Sequence, residues 1–318
     1  MRRLTWNLFS RLVKFLHTWD LCSSQNFCAN LPILWLKALS GNCVGLSSFD
    51  DFITHDLLPS IARWFVSFPL CYLFPPLHHR HVYERTRFLD NEFKSEIARL
   101  GKYRYADDLL NNHSTTGSQN VQVISLGGGF DSRSMRFLNG RQNRKFLSNH
   151  GISICCHEVD LPAVIAQKSC MLQRFLSRRP GSQLPVLHSA DLNIAEEVKK
   201  CLKRIYTGDS DSSKRSLTSN TDAHKKHTIY LIEAVLVYLK KECVPSLLRT
   251  CIEESIDSGH SVSICFTDMY PLVEDATDYR MEMEHVQNLL KDVHPQLQLT
   301  KYRKYPIFNF HMGVARVM

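Results

Sequence analysis

The chain has 318 residues, of which 44% are hydrophobic, and it carries a formal net charge of +8. This length and apolar content are enough to bury one large core, or one core and a smaller cap, without disulfide or metal cross-links. The 11 cysteines form no CxxC pair and most sit in apolar runs, which indicates a reducing compartment and a cytoplasmic protein. No block of five basic residues accompanies the positive charge, which argues against nucleic-acid binding.

The N-terminal segment is basic and almost free of acidic residues. Its first 49 residues contain one acidic side chain, Asp20, against five basic ones. This composition fits either a mitochondrial transit peptide or an N-terminal helical extension. The apolar run 64–77 contains three prolines, so we expect a buried wall or lid there and no membrane span. The histidines at 78, 79 and 81 have no carboxylate or thiolate at ligand spacing, and we predict no metal site.

Two polar stretches, 111–120 and 207–226, are predicted to be loops. Before the first loop the sequence favours helices, as in the stretch 90–100. We therefore assign residues 1–110 to an N-terminal helical extension and cap. Residues 111–318 are predicted to form the main domain.

Short apolar runs alternate with stretches of helical periodicity in this main domain. The predicted strands are 121–126, 152–159, 185–188, 228–233, 261–267, 297–302 and 308–317. The predicted helices are 132–138, 162–176, 194–205, 242–256 and 281–290. This alternation predicts an α/β fold with a doubly wound, mostly parallel sheet.

A glycine loop, Gly127 to Gly129, follows the first predicted strand. The missing Cβ atoms permit either a tight turn alone or a close backbone approach to a ligand. The third glycine of the dinucleotide fingerprint is absent, since Ser132 stands at its position. The next strand-end acid, Asp160, comes 33 residues after Gly127, against roughly 20 in nicotinamide-binding proteins. Both departures disfavour a dehydrogenase.

Acidic residues stand at the ends of the next three predicted strands. Asp160 is placed either to bind ribose hydroxyls or to cap the following helix. Asp191 is placed either to meet an adenine amino group or to start a helix, and Glu233 is followed by Tyr238. Because ligands of a doubly wound sheet bind at the carboxyl ends of its strands, these acids predict a nucleotide-like cofactor.

Four segments resemble the leucine carboxyl methyltransferase family. They are an arginine-bearing segment before the first strand and three strand-end motifs: 85–90, 123–133, 158–162 and 231–239. The resemblance covers about residues 50–267, with the motifs in the family's order. It implies a seven-stranded class I, Rossmann-like methyltransferase fold with an N-terminal helical cap, and S-adenosyl-L-methionine as the cofactor.

The resemblance also implies a role for each matching position. The implied cofactor contacts are Arg85 for the carboxylate of the cofactor, Gly127 and Gly129 in the glycine loop, Asp160 for the ribose, Asp191 and Leu192 for the adenine, and Glu233 near the methionine end. Tyr238 is implied as a pocket residue near the transferred methyl group. We predict Tyr238 and Arg87 as the catalytic residues that orient the acceptor, since an arginine can grip a carboxylate with two hydrogen bonds.

The family's best-known member methylates the C-terminal leucine carboxylate of the protein phosphatase 2A catalytic subunit. The leading prediction is therefore a carboxyl O-methyltransferase with that subunit as its partner. A carboxylate is ionised at neutral pH, so its attack on a sulfonium methyl needs alignment and water exclusion more than a base.

Two departures from the family leave other functions open. The segment 45–53 has no basic residue where the family carries a lysine, and the stretch between the fifth and final strands is shorter than in the phosphatase enzyme. Both departures favour a small-molecule O-methyltransferase as the alternative. A cofactor-binding scaffold without catalysis is the third interpretation.

Overall fold

The structure, a computed structural model, describes residues 76–110, 118–208, 226–268, 279–305 and 310–318. The basic N-terminal segment and the apolar run up to residue 75 lie outside the described residues. So do residues 111–117 and 209–225, which make up most of the two predicted loops.

Seven helices and seven strands form the described part of the chain, together with one short 3₁₀ helix. The helices are α1 (Pro76–Leu110), α2 (Arg133–Asn139), α3 (Arg141–Asn149), α4 (Pro162–Arg178), α5 (Ala195–Thr207), α6 (Cys243–Asp257) and α7 (Tyr279–Val293), and the 3₁₀ helix is Leu236–Tyr238. The strands are β1 (Gln119–Leu126), β2 (Ile152–Asp160), β3 (Val186–Ser189), β4 (Lys226–Glu233), β5 (His260–Asp268), β6 (Leu297–Tyr305) and β7 (Phe310–Val317).

All seven strands form one sheet in the order β3-β2-β1-β4-β5-β7-β6. Strands β1 to β5 are parallel, and β7 pairs antiparallel with both β5 and β6. The chain moves outward through β2 and β3 on one side of β1, then returns to β4 on the other side. This topology confirms the predicted doubly wound, mostly parallel seven-stranded sheet, and its order reverses between β1 and β4.

The register brings the carboxyl ends of the parallel strands to one edge. Leu126 at the end of β1 pairs with Val159 of β2 and with Ile232 of β4. Glu233 pairs with Thr267 near the end of β5. The glycine loop and the acids that end β2 and β4 therefore lie along the same edge, beside the point where the strand order reverses.

The chain divides into two compact units. Of the described residues, the larger unit holds 88–110, 118–128, 145–161 and everything from 185 onward, and thus contains all seven strands. The smaller unit holds 76–87, 129–144 and 162–184, and thus contains α2 and α4. The predicted domain boundary after residue 110 stays a prediction.

The main core of the larger unit lies on one face of the sheet. Helices α5, α6 and α7 bury apolar stripes there against β1, β4 and β5; among the residues buried are Val198, Leu202, Leu247, Ile252, Val286, Leu290, Ile124, Ile232 and Ile264. Burying each such side chain contributes roughly 1.5–3 kcal/mol. Helix α6 exposes Ile256 (39%) and buries its other large aliphatic side chains, which are Val244, Leu247, Leu248 and Ile252.

A polar network ties the other face of the sheet to helix α1. Glu96, 1% exposed, accepts hydrogen bonds from Ser263 Oγ on β5 at 2.8 Å and from Arg316 Nε on β7 at 3.0 Å. Arg99 adds a salt bridge at 2.9 Å. Burial alone would raise the pKa of Glu96, but these hydrogen bonds and the two guanidinium charges outweigh it and lower that pKa.

Two helices differ from the sequence prediction. Helix α1 continues unbroken over 35 residues, where only its segment 90–100 shows clear helical periodicity. Helix α3 was not predicted, because seven of its nine residues are polar and leave too short an apolar pattern to detect.

Candidate functional site

The glycine loop after β1 is shaped by the turn that follows β4. Gly127 has a φ of +58°, and its N–H donates to the Val159 carbonyl at 2.8 Å. A Cβ on Gly127 would lie 2.7 Å from both γ carbons of Val235, whose side chain is buried. At Gly128 a Cβ would meet nothing closer than Ser125 Oγ at 3.6 Å, an ordinary contact. Glycine is therefore required at 127 by backbone conformation and by packing, and at 128 by neither.

The end of β2 places a carboxylate beside this loop. Asp160 is half-buried and its Oδ1 accepts a hydrogen bond from the Leu161 N–H at 2.7 Å. Two residues earlier, Glu158 is 2% exposed, and its Oε2 lies 3.7 Å from the Cβ position of Gly128. Two acids of β2 thus stand at the edge where a ribose diol would need acceptors, and the ribose contact of Asp160 stays a prediction.

The loop after β3 uses Asp191 to shape a turn. Its Oδ1 accepts hydrogen bonds from the backbone N–H and the side-chain amide of Asn193, at 2.9 and 3.0 Å. Helix α5 begins four residues later, at Ala195, so Asp191 is not the residue that starts it. Leu192 is 5% exposed and its side chain packs in the main core. The adenine contact implied for Leu192 would therefore be made by its backbone atoms.

A short turn directly follows Glu233, the last residue of β4, and carries Tyr238 near its end. We call residues 234–240 the β4 turn. Ala234 has a φ of +52°, which is unusual for a residue with a Cβ. Tyr238, on the 3₁₀ helix, is 75% exposed, whereas Leu236 of the same helix is buried. Tyr238 is therefore exposed on a turn that is itself anchored in the core, and its predicted role in the acceptor pocket stays a prediction.

The carboxylate of Asp268 holds the β4 turn, and the sequence prediction did not include it. It is 1% exposed at the end of β5, and it accepts hydrogen bonds from three consecutive backbone N–H groups, those of Val235, Leu236 and Val237. The signal that could have found it is the one that selected Asp160 and Glu233, an acid directly after an apolar strand. The predicted strand was ended one residue too early, at 267.

Three predicted residues lie in the smaller unit. Arg85 is buried on α1, whereas Arg87 is exposed and donates from Nη1 to Tyr83 Oη at 3.0 Å. The guanidinium carbon of Arg87 also lies 5.7 Å from the centre of the Tyr83 ring. Gly129 has a φ of +46°. Their predicted roles, cofactor contact for Arg85 and Gly129 and acceptor orientation for Arg87, stay predictions.

Just after the glycine loop in the sequence, a buried ion pair fixes the start of α2. Arg133 is 2% exposed, and both its backbone N–H and its guanidinium donate to the Asp131 carboxylate. The ammonium group of Lys168 on α4 donates to the Asp131 carbonyl at 2.8 Å. Within the smaller unit, Asp131 is thus held by both Arg133 and Lys168.

A histidine on β7 is the neighbour of Asp268 in the sheet. His311 pairs with Asp268 in register, and its Nδ1 lies 2.7 Å from Tyr302 Oη. Burial lowers the pKa of His311, with Glu282 opposing the shift and Lys304 adding to it. The imidazole is therefore neutral at physiological pH and 1% exposed, so it adds no positive charge to this edge.

The strand-end groups of the larger unit fit the chemistry of S-adenosylmethionine. Asp160 offers acceptors for a ribose diol, and Glu233 offers a negative charge for an α-amino group. The second oxygen of Asp191, Oδ2, has no hydrogen-bond partner within the described part of the chain, so it can accept from an adenine amino group. Gly128 adds backbone without a side chain beside them.

The strand order, with antiparallel β7 inserted between β5 and β6, is that of a class I methyltransferase domain. A comparison with protein-family models matches residues 49–252, more than half of the chain, to the family described as leucine carboxyl methyltransferase. The chain belongs to the leucine carboxyl methyltransferase family. This match confirms the predicted family and, with it, the class of enzyme and the cofactor.

Several solved structures are similar to parts of the chain at low identity. A structure described as a pericyclic reaction enzyme is 12% identical, with a TM-score of 0.36, covering 65% of this chain and 45% of that one. LepI in complex with SAM is 11% identical, with a TM-score of 0.32 and coverages of 65% and 44%. Mitomycin 7-O-methyltransferase is 13% identical, with a TM-score of 0.31 and coverages of 83% and 74%.

The chain spans less than half the length of the first two of these proteins. At such identities and TM-scores the assignment rests on the family match alone. No curated protein matches the chain. Among the described residues, no helix combines the length and apolar content needed to cross a bilayer, and no cluster of three metal-ligating side chains occurs.

Proposed function

We propose that the protein is a carboxyl O-methyltransferase that methylates the C-terminal leucine carboxylate of the protein phosphatase 2A catalytic subunit. S-adenosylmethionine supplies an electrophilic methyl group on a sulfonium sulfur. The protein's own task is to hold the acceptor carboxylate in line with that methyl and to keep water away. A cytoplasmic location is part of the proposal, and it is supported by the free thiols of Cys155, Cys156, Cys170, Cys201, Cys243 and Cys251.

The family match over residues 49–252 is the observation that carries the proposal. It spans every residue predicted for the site, from Arg85 to Tyr238. The family is described by methylation of a leucine carboxyl group, so a carboxylate is the first acceptor class to test.

The chemistry of the strand-end residues is compatible with a carboxylate acceptor. Its oxygen is already a nucleophile at neutral pH, because the pKa of a C-terminal carboxyl is about 3.3. Among the described groups at this edge is the exposed phenol of Tyr238, whose hydroxyl can donate to one acceptor oxygen while the other attacks. Alignment by hydrogen bonding therefore suffices, and no proton has to be removed from the acceptor.

Label transfer from methyl-labelled S-adenosylmethionine tests this proposal directly. We expect the purified protein to label the intact phosphatase catalytic subunit and not a matched subunit that lacks the terminal leucine. Base treatment should release the label as methanol, because a methyl ester hydrolyses and an N-methyl group does not. Equal labelling of both subunits, or label that resists base, would overturn the proposal.

A small-molecule O-methyltransferase is the second candidate. The observation that favours it is the lack of any basic residue in segment 45–53, where the family carries a lysine. Incubating the protein with labelled cofactor and a protein-free extract should then give labelled small molecules, resolved by mass spectrometry. A scaffold without catalysis would bind S-adenosylmethionine in calorimetry and label neither the phosphatase nor the extract.

A further inference from the structure

The β4 turn is fastened to the end of β5 by four hydrogen bonds. Asp268 Oδ2 accepts from the N–H groups of Val235 and Leu236, both at 2.7 Å, and its Oδ1 accepts from Val237 at 3.1 Å. The Ala234 N–H donates to the Thr267 carbonyl at 2.8 Å. A single buried carboxylate thus satisfies three backbone donors that would otherwise be left without acceptors.

The same turn contacts the loops that follow β1 and β3. The Val235 side chain packs against Gly127, where even one added methyl group would be too close. Asn193 Oδ1 accepts from the Lys240 N–H at 2.9 Å, and Asn193 is itself held by Asp191. The turn therefore joins the glycine loop, the loop after β3 and the end of β5 into one interlocked set.

The conformation of the turn needs this support. Ala234 has a φ of +52°, a conformation that is unfavourable for a residue with a Cβ. Such backbone strain persists only where the surroundings over-determine it. On either side of Ala234 stand Glu233, a predicted cofactor contact, and the segment that presents Tyr238.

We propose that Asp268 is a positioning residue for methyl transfer, whose carboxylate fixes the β4 turn so that Glu233, Tyr238 and the glycine loop hold their places together. It acts through the backbone of the turn and touches neither substrate nor cofactor. The proposal rests on the methyltransferase activity of the chain and is independent of which acceptor is used.

Two substitutions separate the charge and the shape of this side chain. In Asp268→Asn one oxygen becomes an amide nitrogen, which can only donate and must face at least one of the three N–H donors. In Asp268→Ala all three acceptor contacts are lost. The matched control is Tyr206→Phe, which removes three hydrogen bonds, to Thr228, Tyr230 and Ser255, within the same unit but at the other end of β4.

Three measurements on the full chain test the proposal. Each is made at a temperature well below the Tm of the least stable variant. They are turnover with the best acceptor found, S-adenosylmethionine affinity by calorimetry, and hydrogen exchange of the segment 234–240. For Asp268→Asn we expect kcat to fall about tenfold to a hundredfold, the usual effect of a small misplacement, and the turn to exchange faster. Asp268→Ala should show a larger fall in kcat and still faster exchange of the turn. Tyr206→Phe should lower Tm while leaving kcat, affinity and exchange of the turn unchanged.

The opposite pattern would overturn the proposal. If Asp268→Asn lowers Tm as Tyr206→Phe does but keeps the wild-type kcat, cofactor affinity and exchange of the turn, Asp268 only stabilises the fold. If Asp268→Ala does not fold, Asp268→Asn decides alone. If the wild-type protein methylates no acceptor, the proposed function fails, while calorimetry and hydrogen exchange still decide whether Asp268 fixes the turn and the cofactor site.

Discussion

Gly127 and Gly128 are adjacent residues with different structural requirements. Gly127 has a φ of +58°, and the Val235 side chain lies too close to leave room for a Cβ on Gly127. Gly128 has neither restriction, so the advantage of glycine there is that a ligand can approach its backbone closely. A sequence pattern of three glycines does not distinguish these cases, and only their neighbours do.

Replacing each glycine by alanine should separate packing from ligand contact. We expect Gly127→Ala to lower the free energy of unfolding by about 2–4 kcal/mol, because it adds positive-φ strain to overpacking against Val235. Gly128→Ala should leave that free energy within about 1 kcal/mol, since its backbone suits alanine. Urea unfolding without cofactor measures both.

Cofactor binding then reports on Gly128. If the cofactor lies against the loop, calorimetry of Gly128→Ala will show weaker S-adenosylmethionine binding in a protein of normal stability. Equal destabilisation by the two substitutions would contradict the distinction drawn between them.

At the scale of elements, Glu96 joins three parts of the larger unit. It lies on α1 and binds Ser263 of β5 and Arg316 of β7, with Arg99 beside it. A buried carboxylate of this kind destabilises the folded protein unless it is fully paired. Removing it would leave its buried partners without their acceptor, which also destabilises the fold. Helix α1 is therefore held to the sheet by charge as well as by apolar contact.

We expect Glu96→Ala to lower the free energy of unfolding by about 3–5 kcal/mol, the usual effect of breaking a buried ion pair. The control is Lys199→Ala, whose salt bridge to Glu254 spans 3.5 Å with a lysine that is 44% exposed. It should change that free energy by less than about 1 kcal/mol. Urea midpoints of the two variants provide the comparison, and similar shifts would show that Glu96 contributes no more than a surface pair.

At the scale of the whole molecule, buried histidines couple stability to pH. Burial lowers the pKa of His227 to about 3, with Arg99, His260 and Arg316 adding to the shift and Glu96 opposing it. Burial likewise lowers the pKa of His157 to about 3, with His188 adding to it. Both rings make hydrogen bonds inside the larger unit, His227 to Ser263 and His157 to Gln122.

These two histidines should make the protein less stable as the pH falls below 6.5. There the unfolded chain takes up protons that the folded protein refuses until about pH 3, so each ring costs roughly 1.4 kcal/mol per pH unit. Urea unfolding at pH 7.5, 6.5 and 5.5 should show the decline. His227→Gln should make this decline shallower. An unchanged slope in His227→Gln would show that this ring is protonated alike in both states.

The sequence by itself determined the order of the seven strands and of the helices other than α3, and it identified two of the strand-end acids, because these depend on local patterns. Predicted ends of β1 to β5 fall within two residues of the observed ones, since apolar alternation and turn residues act over a few positions. Asp160 and Glu233 were found because each directly follows an apolar run. The family motifs, which are contiguous, gave the class of enzyme.

Only the tertiary structure decided where β7 pairs and what Gly127 and Asp268 are for. The insertion of β7 between β5 and β6 depends on pairing between distant segments. Gly127 is constrained by Val235, and Asp268 holds the N–H groups of residues more than 30 positions before it. Contacts of this kind leave no periodic trace in the sequence, because they arise only when the strands have brought their carboxyl ends to one edge.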